Sequence, residues 1–313
     1  MSENLYKLWT EEFSTNMELL LQQKSSLLRP FVRSSSYTGT GARVINQLGT
    51  VEFKAPSGRF APLDRQDPDF ATRIVTPQDR EVRLLIDTFD KLKTIVDPTG
   101  EYSMVVAAAA GRFWDDIILT SAVGTANIGT GTNFTGSTEA WSSSYEVADT
   151  FDDGATSTGM SPAKLIEANR ILRHAHAFED PSDESNRVLV IGSTQEADFL
   201  RQVQVTSKDF NGDAPVMQDG KVKRFLGWNL VVSERLPYAS SVRSCIGWVP
   251  SGMHLGIWKD MNARVDIATW LSSQPYQLYS MLSAGATRTQ LGKVIKVKAA
   301  DTVTGDTSGT GGP

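Results

Sequence analysis

Residues 100–126, GEYSMVVAAAAGRFWDDIILTSAVGTA, constrain this chain more than any other stretch. Tyr102, Val105, Val106, Ala109, Phe113, Ile117 and Thr120 recur at three- and four-residue steps, the spacing of one helix face. Ala107, Ala108 and Ala110 fill the other side with the strongest helix former. Little polar surface intervenes before Asp115 and Asp116, and a helix apolar on nearly every side is expected to be buried. At ~1.5 Å per residue such a rod spans roughly 30 Å, the width of a small domain. Asp97-Pro98-Thr99-Gly100 reads as a turn ahead of it, and Gly124 suits a left-handed C-terminal cap. The rest of the chain must be organised around this rod.

A length of 313 residues allows one large domain or two moderate ones. The formal net charge of -5 argues against a dedicated nucleic-acid binder, which would present a basic face. It does not argue against a protein that merely encloses nucleic acid. Cys245 is the single cysteine, so no internal disulfide framework exists. The longest apolar run, Met104 to Ala110, is too short to span a bilayer.

Around the rod the pattern alternates between helix and sheet. Residues 3–28 read as a first helix whose stripe holds Leu5, Leu8, Trp9, Phe13, Met17, Leu20 and Leu21, ended by Arg29-Pro30. Two extended runs follow, Val44–Phe53 and Thr72–Ile86, and read as a hairpin arm. Its tip, PSGRFAPLDRQDPDF, carries Arg59, Asp64, Arg65, Asp67 and Asp69 and has no core of its own. Asp87–Asp97 reads as a short helix. Residues 128–159 form a Gly-, Ser- and Thr-rich surface loop or hairpin. Ser161 and Pro162 open a helix to about Phe178, as N-cap and first residue. Arg187–Ile191 is a short buried strand, and Ser193 or Thr194 caps the next helix. Residues 220–232 give a strand, a turn at Gly227 and a second strand. CIGWVPSGMHLGIW, ARVDIATW, QPYQLYSMLSAGATRTQ and KVIKVKA read as four closing strands. The tail 302–313 is Gly, Thr, Ser and Asp.

Nothing in the chain spells out chemistry. His174 and His176 stand two apart on a helix and diverge by about 200°, so they cannot share a metal. Gly129, Gly131 and Gly136 lack the strand before and the helix after that a nucleotide loop requires. No G-x-S-x-G elbow is present. Asp115-Asp116 and Asp152-Asp153 are adjacent pairs that read as solvated or helix-end charges. Trp228, Trp248, Trp258 and Trp270 read as core or interface anchors. No catalytic residue, cofactor or metal site is expected, and the chain reads as a non-enzyme.

The order of parts and several phrases resemble the tailed-bacteriophage major capsid proteins of the Hong Kong 97 (HK97) fold. TIVDPTGEYSMVVAAAAGRFWDDIILTSAVGTA is similar to the family's spine helix. SPAKLIEANRILRHAHA and NRVLVIGSTQEADFLRQVQVTSKDF are similar to the helix, strand and helix of its axial domain, and GKVKRFLGWNLVVSERLP to a later part of it. SMLSAGATRTQLGKVIKVKA is similar to the closing strands of its peripheral domain. The resemblance implies an α+β fold with an N-terminal arm at 1–43 and an extended hairpin arm, the E-loop, at 44–86. It implies a peripheral domain at 87–126 and 241–300, an axial domain at 127–240 and a flexible tail at 301–313. It implies self-assembly into hexamers and pentamers of an icosahedral shell around double-stranded DNA, built in the host cytoplasm and resident in the virion capsid. Portal protein and a separate scaffolding protein are implied partners, with a cement or decoration protein as a further one, and no membrane. No charged coiled-coil segment stands before the first helix, and a lysine–asparagine crosslink cannot be placed. An encapsulin-like protein compartment is the alternative with the same fold. On this reading Trp9 and Phe13 are apolar anchors to a neighbour, and Arg59, Asp64, Arg65 and Asp67 are arm-tip contacts.

Overall fold

The computed structural model describes residues 22–55, 58–59, 65–87, 99–129, 137–178, 181–202, 217–218, 221–272 and 274–301. The expected first helix up to residue 21, the short helix at 88–97 and the tail at 302–313 lie outside the described residues. The chain divides into two compact units. One holds residues 1–26, 79–112 and 259–282, and the other holds 27–78, 113–258 and 283–313. Helix α1 (Thr99–Val123) and strands β15 (Met253–Ile267) and β16 (Tyr276–Arg288) contribute residues to both.

In the first unit, β16 is the middle strand between β15 and β4 (Gln78–Ile86). Leu278, Leu282, Val106, Ala108 and Ala110 are buried there. Gly111 is required by a close approach. A Cβ on it would lie 2.8 Å from the backbone of Ser25 and Ser26. Beside it, Arg112 donates to Gln22 Oε1 at 2.8 Å and to the Gln23 carbonyl at 3.3 Å.

The second unit is built on a larger sheet. Its order is β11 (Arg224–Phe225), β12 (Trp228–Val232), β8 (Arg187–Ile191), β14 (Val242–Trp248), β17 (Val294–Ala300) and β7 (Glu146–Val147). Strand β13 (Tyr238–Ala239) pairs with β14. All five residues of β8 are buried, as a run of Val, Leu and Ile in a central strand demands. Helices α2 (Pro162–His174) and α4 (Ser193–Arg201) and the α1 residues Trp114, Ile117, Ile118, Leu119 and Ala122 share one core with Trp228 and Trp248. The single thiol, Cys245, is fully buried, and that burial pushes its pKa up to about 12.

Buried charge in this unit terminates backbone. Lys164 donates to the carbonyls of Asp149, Thr158 and Lys298 at 2.9, 2.8 and 3.2 Å, and burial lowers its pKa. Asp183, on the short helix α3 (Pro181–Ser185), accepts from Ser251 N at 3.0 Å and from the Ser251 hydroxyl. Arg187 donates to the Leu226 and Gly227 carbonyls and lies over the Trp228 ring.

Several expectations hold. Ser161 caps α2 by accepting from Lys164 N at 3.2 Å, with Pro162 at the first position. The 128–159 region begins as a hairpin of β5 (Ala126–Gly129) and β6 (Ser137–Glu139). Others are corrected. Residues 22–28 are not helical; a short 3-10 turn at Arg29–Phe31 follows them. The run Thr72–Ile86 is two strands, because Pro77 interrupts it. Strand β3 (Phe70–Val75) pairs with β2 (Ala42–Leu48), and β4 joins β16. Gly124 is not a left-handed cap; its N–H makes an ordinary helical bond to the Thr120 carbonyl at 2.9 Å. Helix α4 starts at Ser193 after an extended Gly192. The Ser193 N–H is satisfied by Glu234 Oε1 at 2.7 Å, a cap supplied from 41 residues away. The closing strands break at Val249–Gly252, inside CIGWVPSGMHLGIW, and ARVDI continues β15 without interruption. The rod is not apolar and buried all round. Met104 is 50% exposed, and Asp115, expected to be solvated, is fully buried.

Asp115 accepts from Leu27 N and Leu28 N, each at 3.1 Å. Asp115→Ala leaves two donors without their partner and is expected to cost at least about 2 kcal/mol in urea unfolding, with Asp115→Asn recovering part of it. His254 hydrogen-bonds Tyr37 Oη at 3.0 Å, and burial with Arg33 nearby holds its pKa at about 4. Its folded pKa is thus below the unfolded value near ~6.5, so its contribution is complete above that pH and lost as pH falls toward 4. His254→Gln is expected to flatten the stability profile in that window, read as the difference from the wild-type melting temperature.

Candidate subunit interface

The hairpin arm is assembled from its base outward. Strands β2, β3, β5 and β6 form an antiparallel sheet in that order, within the second unit. Gln47 Nε2 donates to the Thr289 carbonyl at 2.6 Å and Thr72 Oγ1 to the Gly129 carbonyl at 2.7 Å. Beneath them lie two buried guanidiniums. Arg73 pairs with Glu139 at 2.7 Å, and Arg288 Nε stands 3.7 Å from the same carboxylate. Arg288 also donates to the carbonyls of Gly124 and Glu139. Burial and the neighbouring Arg73 lower its pKa, against the pull of Glu139. One carboxylate therefore serves two arginines. Three separate segments, β3, β6 and β16, meet at that point.

Outward of the base the character changes. The Gly49 N–H bonds the Asp69 carbonyl at 2.7 Å and closes the ladder. Past it, the described residues through Asp69 form no strand. Leu48 is 63% exposed, Phe70 69%, and Val51 and Phe53 also face water. An aromatic or aliphatic side chain left in water forgoes about 1.5–3 kcal/mol relative to full burial. Several together on one arm are the kind of exposed apolar surface at which proteins bind partners, which makes it the candidate interface.

The charged tip residues are placed as follows. Arg59 is exposed. Arg65 and Asp67 pair with each other at 2.8 Å on the surface, a contact worth at most about 1 kcal/mol. Asp64, Trp9 and Phe13 lie outside the described residues. Sequence reasoning missed Phe53 and Phe70. Their signal was present as apolar residues in a stretch otherwise given to Gly, Pro and charge. It also missed Glu139 and Arg288, whose meeting depends on long-range topology.

A second uncovered surface belongs to the first unit. Val82, Leu85, Val265 and Ile267 are exposed along its strands, and Trp270 is 65% exposed. The Arg83 guanidinium lies 6.0 Å from the Trp270 ring and 5.7 Å from that of Tyr279, whose hydroxyl donates to Glu81 at 3.0 Å.

Among the described residues no cluster of His, Cys, Asp and Glu could hold a metal. The titratable groups displaced furthest, Cys245 and His254, are buried in strands rather than gathered in a cleft.

The described residues hold a long helix, a mixed sheet and an arm with exposed apolar side chains, and the sequence carries a family signature. A family model described as phage capsid protein matches residues 6–301. The chain belongs to the phage capsid protein family. The capsid protein's fold is found in solved structures across nearly the whole chain. The capsid structure of cyanophage P-SCSP1u aligns at a TM-score of 0.69 with 15% identity, covering 96% of this chain and 97% of that one. The mature capsid of bacteriophage PhiM1 aligns at 0.67 with 14% identity, over 94% and 93%. Mycobacterium phage Che8 aligns at 0.63 with 16% identity, over 92% and 96%. No curated protein matches the sequence. The fold is the α+β HK97-like one, and the molecule is a structural, shell-forming phage major capsid protein of the virion.

Glu139→Gln would leave two buried guanidiniums without a counter-ion. The expected cost is about 3–5 kcal/mol in denaturant unfolding. Amide exchange is expected to accelerate first in β2 and β3, and an unchanged exchange pattern there would refute the anchoring role.

Proposed function

We propose that copies of this capsid protein form hexameric and pentameric rings that close an icosahedral shell around double-stranded DNA. The observation that carries the reading is the arm's uncovered apolar surface at Leu48, Val51, Phe53 and Phe70, on a chain of the capsid family. In a ring each arm lies across the adjacent subunit and buries these side chains there. Arg59, Asp64, Arg65 and Asp67 supply mixed-sign contacts at the arm tip, and Trp9 and Phe13 anchor the amino-terminal segment to a neighbour. Each contact is weak, and the shell draws its strength from their repetition. Residues 1–43, 44–86, 87–126 with 241–300, and 127–240 act as N-terminal arm, E-loop, peripheral domain and axial domain, followed by the tail 301–313.

Assembly takes place in the host cytoplasm on a separate scaffolding protein, with a portal protein at one vertex and a cement protein as a possible reinforcement. The net charge of -5 fits enclosure of DNA without sequence-specific binding.

The test is electron microscopy of the purified chain with and without a candidate scaffolding protein. Closed polyhedral particles or rings of five and six are expected. A monodisperse monomer under both conditions would refute the proposal, and particles that fill with protein rather than DNA in the host would point to an encapsulin-like compartment. Phe53→Ser with Phe70→Ser is expected to leave the monomer folded and to abolish closed particles. Reversal of Arg59 and Arg65 to Glu is expected to impair closure, and normal shells from both variants would remove the arm from the interface.

A further inference from the structure

The large sheet of the second unit carries exposed charge of opposite sign at two of its corners. It ends in β7 on one side and β11 on the other, five strand spacings apart, or roughly 24 Å. The loop after β7 exposes Phe151, Asp152 and Asp153, with Phe151 45% exposed. This loop has a fixed shape. Asp153 N and Gly154 N bond the Thr150 carbonyl at 3.2 and 2.7 Å, and Thr158 returns through its N–H and hydroxyl to the Asp149 carbonyl, both at 2.9 Å. Asp153 also accepts from Thr156. The cations at this edge are already engaged: Lys164 is buried on three backbone carbonyls with Asp152 and Asp149 near enough to act on its charge, and Lys296 and Lys298 pair with Glu146 at 2.9 and 2.7 Å.

At the opposite edge, Lys223 just before β11, Arg224 at its start and Leu226 in the β11–β12 turn are exposed. Leu226 and Gly227 both have positive φ, 48° and 82°, as a tight two-residue hairpin turn requires. Arg224 donates to the Ser185 carbonyl, a neutral acceptor that does not cancel its charge. The adjacent Glu184 is engaged by Arg173 at 3.0 Å.

The strand register places these features at diagonal corners. Trp228 pairs with Arg187, the first residue of β8, so the basic turn lies at that end. Glu146 and Val147 pair with Lys296 and Val297, and the Ala300 N–H reaches the Thr158 carbonyl, so the acidic loop lies at the far end of β17. Strands β8 and β17 both run antiparallel to β14 and hence parallel to each other.

Two patches of opposite charge, each with one exposed apolar side chain and at different places on one molecule, describe a heterologous contact. We propose that Phe151, Asp152 and Asp153 of one copy dock on Lys223, Arg224 and Leu226 of the next, joining successive subunits around a ring. This rests on the ring assembly proposed above and names the surfaces that build it. The occupant is a second copy because the complementary charge is on the same chain. A nucleic acid would suit the basic corner alone and leave the acidic loop without a role.

Charge exchange tests it, read by native mass spectrometry and electron microscopy. Asp152→Lys with Asp153→Lys, or Lys223→Glu with Arg224→Glu, is expected to lower ring yield about tenfold or more. Circular dichroism of the monomer should stay unchanged, with its melting temperature lowered only by the loss of the Thr156–Asp153 or Arg224–Ser185 hydrogen bond. All four substitutions in one chain restore the complementarity and are expected to recover rings. Either double variant assembling like wild type, or a fourfold variant no better than the doubles, overturns the contact while leaving the ring proposal intact. A wild-type chain that forms no rings removes both.

Discussion

The structure turns on a carboxylate inside the long helix. Asp115 has no water to solvate it, so its oxygens must be satisfied by protein donors. Those donors are the backbone N–H groups of Leu27 and Leu28, 88 and 87 residues earlier in the chain. Their capture fixes where the amino-terminal segment enters the second unit. From there Arg29 lies 4.9 Å over the Trp114 ring, and the Phe31 carbonyl accepts from Trp248 Nε1 at 3.0 Å. The chain then runs directly into β1 (Arg33–Ser36), parallel to β15. A single acidic position in an apolar helix thus sets the path of the segment that leads to the arm.

The same device recurs at other buried charges of the second unit. Lys164 gathers two carbonyls of the loop after β7 and one of β17, Asp183 holds the turn at Ser251, and Arg187 fastens the β11–β12 turn. These contacts are directional and depend on full desolvation, so they favour one backbone arrangement over near alternatives. That suits a unit that leaves apolar side chains such as Phe53 and Phe70 in water.

Local signals were readable from the sequence, and long-range ones were not. The three-and-four spacing of 100–123, the Ser161-Pro162 start of α2 and the Val-Leu-Val-Ile run of β8 each encode their own element within a few residues. The arm was legible as an extended pair, but the role of Pro77 in dividing its second half depends on which sheet edge each piece meets. The cap of α4 came from Glu234, and the cluster of Arg73, Glu139 and Arg288 came from three distant segments. No pattern of neighbours announces such meetings. Asp115 misled for the same reason. An acid beside another acid reads as a wet surface until its partners are known.

Cys245 offers a different kind of handle. Its thiol lies in the middle of β14, sealed by the core, with a pKa pushed to about 12. At neutral pH the raised pKa keeps it as the unreactive thiol, even if a reagent could reach it. Covalent labelling must therefore wait for the strand to open. As the sole cysteine, it turns the rate of a simple alkylation into a clock for the opening of the central sheet, readable on a free subunit or an intact particle with the same reagent.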